Sequence, residues 1–86
     1  MYKNRNGKRN NISGIAIREL RLASSPALSQ RALADRMQLV GLDMDKNAIQ
    51  RIESGARFVT DIELSAFAEI FEVPISSLLK KIILIR

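Results

Sequence analysis

The sequence contains 86 residues with a net charge of +5, and 47% of its residues are hydrophobic, so we expect one folded domain with a modest core rather than a disordered chain. It has no cysteine and no histidine. This excludes disulfides, thiol or Ser–His–Asp catalysis, and metal sites built on either residue. Only scattered carboxylates and lysines remain for chemistry, so we expect neither an enzyme nor a cofactor.

The two ends of the chain do not indicate a membrane protein. The N-terminus is polar and does not resemble a secretion signal, and the longest apolar run, at 82–85, is far too short to span a bilayer. We therefore expect a cytoplasmic protein, with no membrane partner and no small-molecule ligand.

The positive charge is concentrated in the first two thirds of the chain. Residues 1–57 contain eleven lysines and arginines against five acidic residues, whereas residues 58–86 contain three against four. This distribution is typical of a protein with one face on a polyanion and the other on a protein partner. The alternative is basic charge that only maintains solubility.

Residues 1–11 have no apolar pattern and are expected to form a flexible basic arm. Its basic residues are Lys3, Arg5, Lys8 and Arg9. Such an arm either follows the DNA backbone or is a solvated end without a partner, and the sequence leaves both possibilities open.

Apolar spacing predicts a first helix over 12–23, with Asn11 or Ser13 as its N-cap and Pro26 beyond its end. Its expected inner residues are Ile12, Ile15 or Ala16, Ile17, Leu20 and Leu22.

A second helix is predicted from the N-cap Ser29 to about Gln38. Its expected inner residues are Leu33, Ala34 and Met37, and its expected outer residues are Arg31, Asp35 and Arg36.

The third predicted helix covers 46–54 and follows a connection over 39–44, in which Gly41 is the flexible point. Asp45 is expected to cap its start and Gly55 to end it. Ile49 and Ile52 should point inward. The residues expected to remain exposed are Lys46, Asn47, Gln50 and Arg51.

Thr60 and Glu63 form a capping-box pattern that predicts a fourth helix to about Phe71. Its expected inner residues are Ile62, Leu64, Ala66, Phe67 and Ile70. A fifth helix should begin near Pro74 and carry Ile75, Leu78 and Leu79. The apolar tail, 80–86, either extends that helix or forms a short strand.

These elements predict an all-α bundle of five short helices, and a set of motifs within it resembles a known family. The motifs are Leu28-Ser29-Gln30, Leu33-Ala34 and Ile49-Gln50-Arg51-Ile52-Glu53-Ser54-Gly55. In this order and spacing they resemble the Xre/Cro class of helix-turn-helix domains, which includes phage repressors. The runs 17–21 and 67–73, the latter followed by Leu78-Leu79, resemble the first and the last two helices of that family, so the match spans about 12–79.

The resemblance implies a repressor-like fold in which the second and third helices form the helix-turn-helix. It also implies a sequence-specific regulator of transcription, of the repressor type, that binds double-stranded DNA as a homodimer. The recognition helix, about 45–54, would lie in the major groove. The apolar tail, with the fifth helix, is then the expected dimer contact.

The resemblance assigns base contacts to Lys46, Asn47, Gln50 and Arg51. Asparagine can pair with adenine, and arginine or lysine with guanine, through two hydrogen bonds. Outside the family context, the alternative is a solvated face without a partner.

Two further residues, Gln30 and Arg57, are expected to reach phosphate. Gln30 either contacts phosphate at the N-terminus of the second helix or braces the recognition helix. Arg57 either contacts phosphate or is an ordinary surface charge. Glu53 would repel phosphate, so we expect it to be structural, paired with Arg18 or Arg21.

The chain departs from the family pattern in two places. The turn before the third helix is longer by about five residues, 40–44, which leaves the docking angle of that helix open. Glu72 stands where family members commonly have a glycine that ends the fourth helix, so that corner either closes differently or is strained. The alternative function is a protein-interaction module, or an antitoxin-like accessory regulator, with the same fold.

Overall fold

The computed structural model describes residues 9–79, and over this range the expected all-α fold of five short helices is confirmed. The helices are α1 (Ser13–Ala23), α2 (Gln30–Leu39), α3 (Lys46–Ser54), α4 (Asp61–Phe71) and α5 (Ile75–Leu78). The first four begin and end at, or next to, the residues that the sequence predicts. The predicted tail, 80–86, and the first part of the predicted arm, 1–8, lie outside the described residues.

A single hydrophobic core joins the helices, with α3 packed against α1 and α2, and α5 against α1 and α4. Its largest fully buried side chains are Ile17, Leu33, Met37, Ile49, Ile52, Phe67 and Leu78. Each such side chain contributes about 1.5–3 kcal/mol relative to an exposed one. The inner residues predicted for α2 and α3 are all buried, which confirms both apolar faces.

Three residues expected on inner faces are exposed instead: Leu22 to 46%, Ile62 to 67% and Ile75 to 42%. Leu22 follows Arg21, and the α1 face that turns inward carries Arg21 rather than Leu22, because adjacent helical positions point about 100° apart. Ile62 lies in the first turn of α4, on the rim of a shallow surface depression, and Ile75 begins a helix of only four residues.

The predicted N-caps of α2, α3 and α4 are confirmed. Ser29 Oγ accepts from Ala32 N at 3.0 Å, and the capping box between Thr60 and Glu63 is complete in both directions. At α1, the side chain that accepts from the free amides is that of Asn11, whose Oδ1 lies 2.8 Å from Gly14 N. Each such cap contributes about 1 kcal/mol.

The long connection between α2 and α3 is closed by backbone hydrogen bonds. Gly41, with a φ of 96°, follows the end of α2, where Leu42 N donates to Met37 O at 3.0 Å in a Schellman motif. Gln38 Nε2 then donates to Met44 O at 2.9 Å, and the Met44 side chain is buried in the core. The extra residues therefore lead into α3 through defined contacts.

Glu72 ends α4 in the left-handed conformation, with a φ of 57° and a ψ of 46°. Val73 N donates to Ala68 O at 3.0 Å, so the corner closes as it would with glycine. Of the two expectations for this position, the strained one is found, because a side chain in this conformation costs about 1–2 kcal/mol.

Candidate nucleic-acid interface

The helix α3 has two chemically distinct faces. Ile49 and Ile52 are completely buried, and both lie in the core that α1 and α2 share with α3. The four side chains predicted as base contacts, Lys46, Asn47, Gln50 and Arg51, are all exposed. Their spacing of one, three and one residues puts them on one side of the helix. The structure thus brings together a cationic and amide-bearing strip about two turns long.

Both ends of α3 are capped within the protein. Asp45 Oδ1 accepts from Ala48 N at 2.8 Å, which confirms the predicted N-cap. Gly55, with a φ of 88°, closes the other end, where Ala56 N donates to Arg51 O at 2.8 Å. The exposed strip is therefore carried by a helix whose start and end are defined by contacts within the protein.

Glu53 is the buried acidic residue of α3, and its partner is Arg21 of α1, one of the two arginines expected. Arg21 Nε lies 2.7 Å from Glu53 Oε2, and Arg21 Nη2 lies 2.9 Å from Glu53 Oε1. Arg21 Nη1 also donates to Leu28 O at 2.8 Å, just before the N-cap of α2. Glu53 thus holds α3 to α1 and does not belong to the exposed strip.

Gln30, predicted to brace the recognition helix or to hold phosphate, contacts α3 directly. Its Nε2 donates to Glu53 Oε1 at 3.1 Å. The side chain is half-buried, and it extends the Arg21–Glu53 pair into a link between three helices. This contact is the bracing role; a phosphate contact by Gln30 stays a prediction.

Arg57 lies two residues beyond Gly55 and forms an ion pair with Glu63 of α4. Its Nη1 and Nη2 lie 3.0 Å and 2.9 Å from the two carboxylate oxygens. The hydrogen bonds from Arg57 lower the pKa of Glu63, against the opposing effect of burial, and the same pair raises the pKa of Arg57. The side chain of Arg57 remains 31% exposed, so its predicted contact with phosphate would compete with this pair.

The segment 9–11, which the sequence assigned to a flexible arm, is bound to the C-terminal end of α3. Asn10 N donates to Gly55 O at 2.7 Å, and Asn11 Nδ2 donates to Ile52 O at 2.9 Å and to Arg57 O at 2.7 Å. The packed part of the chain therefore includes Arg9, three residues before the expected start of the domain at 12. Sequence reasoning missed these contacts because their acceptors are backbone carbonyls, which no residue type marks.

Gly14 permits the close approach of α1 to α3. A Cβ atom at this position would overlap Ile52 O and would lie 2.8 Å from Asn11 Oδ1. An interior glycine in a helical pattern is the only sequence signal of this approach.

A further basic side chain, that of Arg31, lies close to the exposed strip. Arg31 of α2 and Lys46 line an open depression of about 340 Å³ between α2 and α3, together with Ala34, Asp35, Gln38 and Asp45. Two carboxylates in the lining offset the two cations, so this depression is not an anion site by itself. Within residues 9–79, no group of acidic side chains is arranged to hold a metal ion.

Comparison of the chain with protein-family models, with curated proteins and with solved structures found no match. Among the helices of residues 9–79, none combines the length and the apolar character that crossing a membrane requires.

Proposed function

We propose that this chain is a sequence-specific binder of double-stranded DNA, a regulator of transcription of the Xre/Cro helix-turn-helix type. In this proposal α2 and α3 form the helix-turn-helix, and α3 enters the major groove. A cytoplasmic location and a repressor role belong to the same proposal.

The observation that carries the proposal is the division of α3 into two faces. Ile49 and Ile52 attach the helix to the core, while Lys46, Asn47 and Arg51 remain exposed on its outer side. Arginine, lysine and asparagine are the side chains that form paired hydrogen bonds with guanine and adenine edges, each worth about 1–3 kcal/mol of discrimination. Gln50 borders this face, within reach of bases or phosphate.

The bracing of α3 supports the same function. The Arg21–Glu53–Gln30 contacts and the cap at Asp45 hold the helix in place before any ligand binds. A helix that is held in place in advance loses less entropy on binding than one that the ligand must order. The excess of positive charge in residues 1–57 would add an attraction for phosphate that depends on salt.

We further propose that the protein acts as a homodimer on two half-sites about one helical turn apart, roughly 34–36 Å. The expected contact is α5 with the segment that follows it. Ile75, the first residue of α5, is 42% exposed and is available for such a contact.

A binding-site selection from random duplex DNA with the purified protein tests the proposal, because it reports both sequence preference and site symmetry. The double variant Lys46→Ala, Asn47→Ala should lose affinity for the selected site, as measured by fluorescence anisotropy. Arg18→Ala is the matched control, since Arg18 is an exposed cation of α1 outside the candidate interface.

A failure to enrich any sequence would contradict the proposal. It would also be contradicted if the double variant and the Arg18→Ala control bound the selected site as tightly as the unmodified protein. Sedimentation equilibrium of the DNA complex gives the stoichiometry, and one protein per selected site would exclude the homodimer.

A protein-interaction module is the second candidate, and one observation favours it. Leu39, Val40 and Ile62 are exposed to 84%, 43% and 67%, which is unusual for side chains of this size near the ends of two neighbouring helices. If this function is correct, replacing Leu39 and Ile62 by serine would change the sedimentation behaviour of the protein. The Lys46 and Asn47 variants would leave the sedimentation behaviour unchanged.

A further inference from the structure

We propose that Arg9 and Asn11 are positioning residues for α3: they clamp its C-terminal end and so set the angle at which its outer face meets DNA. The proposal rests on the DNA-binding function proposed above and adds the residues that determine how the reading helix is oriented.

The clamp acts on the last turn of α3. Arg9 Nη2 donates to Glu53 O at 2.9 Å and to Ile52 O at 3.4 Å, and Asn11 Nδ2 donates to Ile52 O at 2.9 Å. These carbonyls belong to the last turn, where helical partners run out. A cation at this end is also favoured by the helix dipole.

The two clamp residues are themselves held together. Arg9 Nε donates to the backbone carbonyl of Asn11 at 3.2 Å, while Asn11 Oδ1 accepts from Gly14 N at the start of α1. The Arg9 side chain lies against Gly55, where an added Cβ would be 2.8 Å from Arg9 Cγ. One short segment therefore ties the start of α1 to the end of α3.

A tilt of α3 about its clamped end would displace the side chains at its other end. Lys46 and Glu53 are seven residues apart, which is roughly 10 Å along the helix axis. A tilt of about 10° about the clamped end would move the side chains near Lys46 by about 2 Å, more than a hydrogen bond to a base edge tolerates. The side-chain hydrogen bonds that tie α3 to other described segments all reach it at Ile52 and Glu53, so its C-terminal end is where this tilt is controlled.

The alternative role for Arg9 is a direct contact with phosphate. The site itself argues against it, since two of its nitrogens are committed to carbonyls of α3 and of Asn11. The two roles predict different effects on specificity and on salt dependence, so they can be separated experimentally.

Two clamp variants and one control make the test. Asn11→Asp removes the Nδ2 donor to α3 and keeps an oxygen for Gly14 N, whereas Arg9→Met removes the guanidinium and keeps the length of the side chain. Arg18→Met is the control, because Arg18 is exposed on α1 and all three substitutions lower the net charge by one. If Arg9→Met does not fold, as judged by circular dichroism, Asn11→Asp alone decides.

Affinity is measured by fluorescence anisotropy for a selected duplex and for random-sequence duplex, over a range of salt concentrations. We expect the ratio of the two affinities to fall about tenfold in both clamp variants. A loss of this size lies at the lower end of what one good side-chain contact with a base edge contributes to discrimination. The slope of log affinity against log salt should stay unchanged, and Arg18→Met should leave the ratio unchanged.

Two results would overturn the proposal. One is an unchanged ratio in a folded clamp variant. The other is an equal loss on both duplexes in Arg9→Met with a slope shallower by about 0.9, which would identify Arg9 as a phosphate contact.

Amide hydrogen exchange separates a failure of the clamp from a failure of the proposed function. In Asn11→Asp, exchange of the α3 amides should be faster than in the unmodified protein, while exchange of the α2 amides should be unchanged. If no duplex binds at all, the proposed DNA-binding function is wrong. Whether or not DNA binds, unchanged amide exchange of α3 in Asn11→Asp would reject the clamp.

Discussion

Arg21 and Glu53 form a two-pronged ion pair inside the protein, with N–O distances of 2.7 Å and 2.9 Å and side chains that are 9% and 4% exposed. The pair joins α1 to α3, and Gln30 adds a third hydrogen bond from α2. Three helices thus meet at one carboxylate on the inner side of the helix that carries the candidate interface.

Removing one partner of this pair should be costly. We expect Arg21→Met to lower the free energy of unfolding by about 3–5 kcal/mol, because it leaves a buried carboxylate without its cation. Replacing both residues, as Arg21→Met with Glu53→Leu, should recover much of that loss. Urea unfolding of the single and double variants measures the coupling, and strictly additive losses would contradict the expectation.

Gly14→Ala should destabilise the protein although alanine favours helices. The added methyl group would overlap Ile52 O and force α1 away from α3, a kind of overpacking that costs about 1–3 kcal/mol. Gly41→Ala is the comparison: of the residues that the structure describes, none lies within 4 Å of an added Cβ there, and the φ of 96° is what resists the change. Thermal unfolding measures the stability of both variants, and fluorescence anisotropy checks that Gly14→Ala also lowers the specific DNA affinity and Gly41→Ala does not.

Glu72→Gly should stabilise the protein by about 1 kcal/mol, since glycine adopts the left-handed conformation of this corner without strain. The matched substitution Glu69→Gly, at an exposed position inside α4, should instead destabilise by about 1 kcal/mol. Equal effects of the two substitutions in chemical unfolding would show that the conformation at Glu72 carries no strain.

Acid should weaken the start of α4. Since hydrogen bonds from Arg57 lower the pKa of Glu63 in the folded protein, the stability that this carboxylate contributes is present above the unfolded pKa of about 4.3. It is lost as the pH falls through the lower folded pKa. For a partly solvated pair we expect less than about 1 kcal/mol.

The comparison with Glu63→Gln isolates this effect, because glutamine can still complete the capping box. The difference in unfolding free energy between the two proteins should be constant above about pH 5 and shrink below it. A difference that grows on acidification would mean that the sign of the pKa shift is wrong.

Base contacts and phosphate contacts should leave different signatures in DNA binding. Asn47→Ala should relax discrimination at one position of the selected site, at a cost of about 1–3 kcal/mol. Arg57→Met, if Arg57 leaves Glu63 to contact phosphate, should weaken binding to all sequences and reduce the salt slope by about 0.9. A selection repeated with each variant, together with salt titrations, distinguishes the two.

The features that follow from local chemistry were predicted well. The caps at Ser29, Asp45 and Thr60 are found as expected, because a side chain that accepts from an amide three residues later depends only on nearby backbone. The buried pair Ile49 and Ile52 follows from helical periodicity in the same way.

Predictions failed where position in the tertiary structure outweighs residue type. Leu22 and Ile62 are as apolar as the core residues, yet both are exposed, because within residues 9–79 no neighbouring element covers their side of the helix. Arg9 and Asn11 resemble a solvated basic end, and they instead satisfy carbonyls more than forty residues away.

The outer face of α3, the feature on which the proposed function depends, was determined by the sequence alone: the alternation of isoleucines with Lys46, Asn47 and Arg51 leaves one apolar side to bury and one polar side to expose. Only the tertiary structure decided what holds that helix. Its bracing by Arg21 and Gln30, its clamping by Arg9 and Asn11 and the close approach at Gly14 join segments distant in the chain. Contacts of this kind arise when packed helices bring specific donors and acceptors within about 3 Å, a distance that periodicity and composition do not encode.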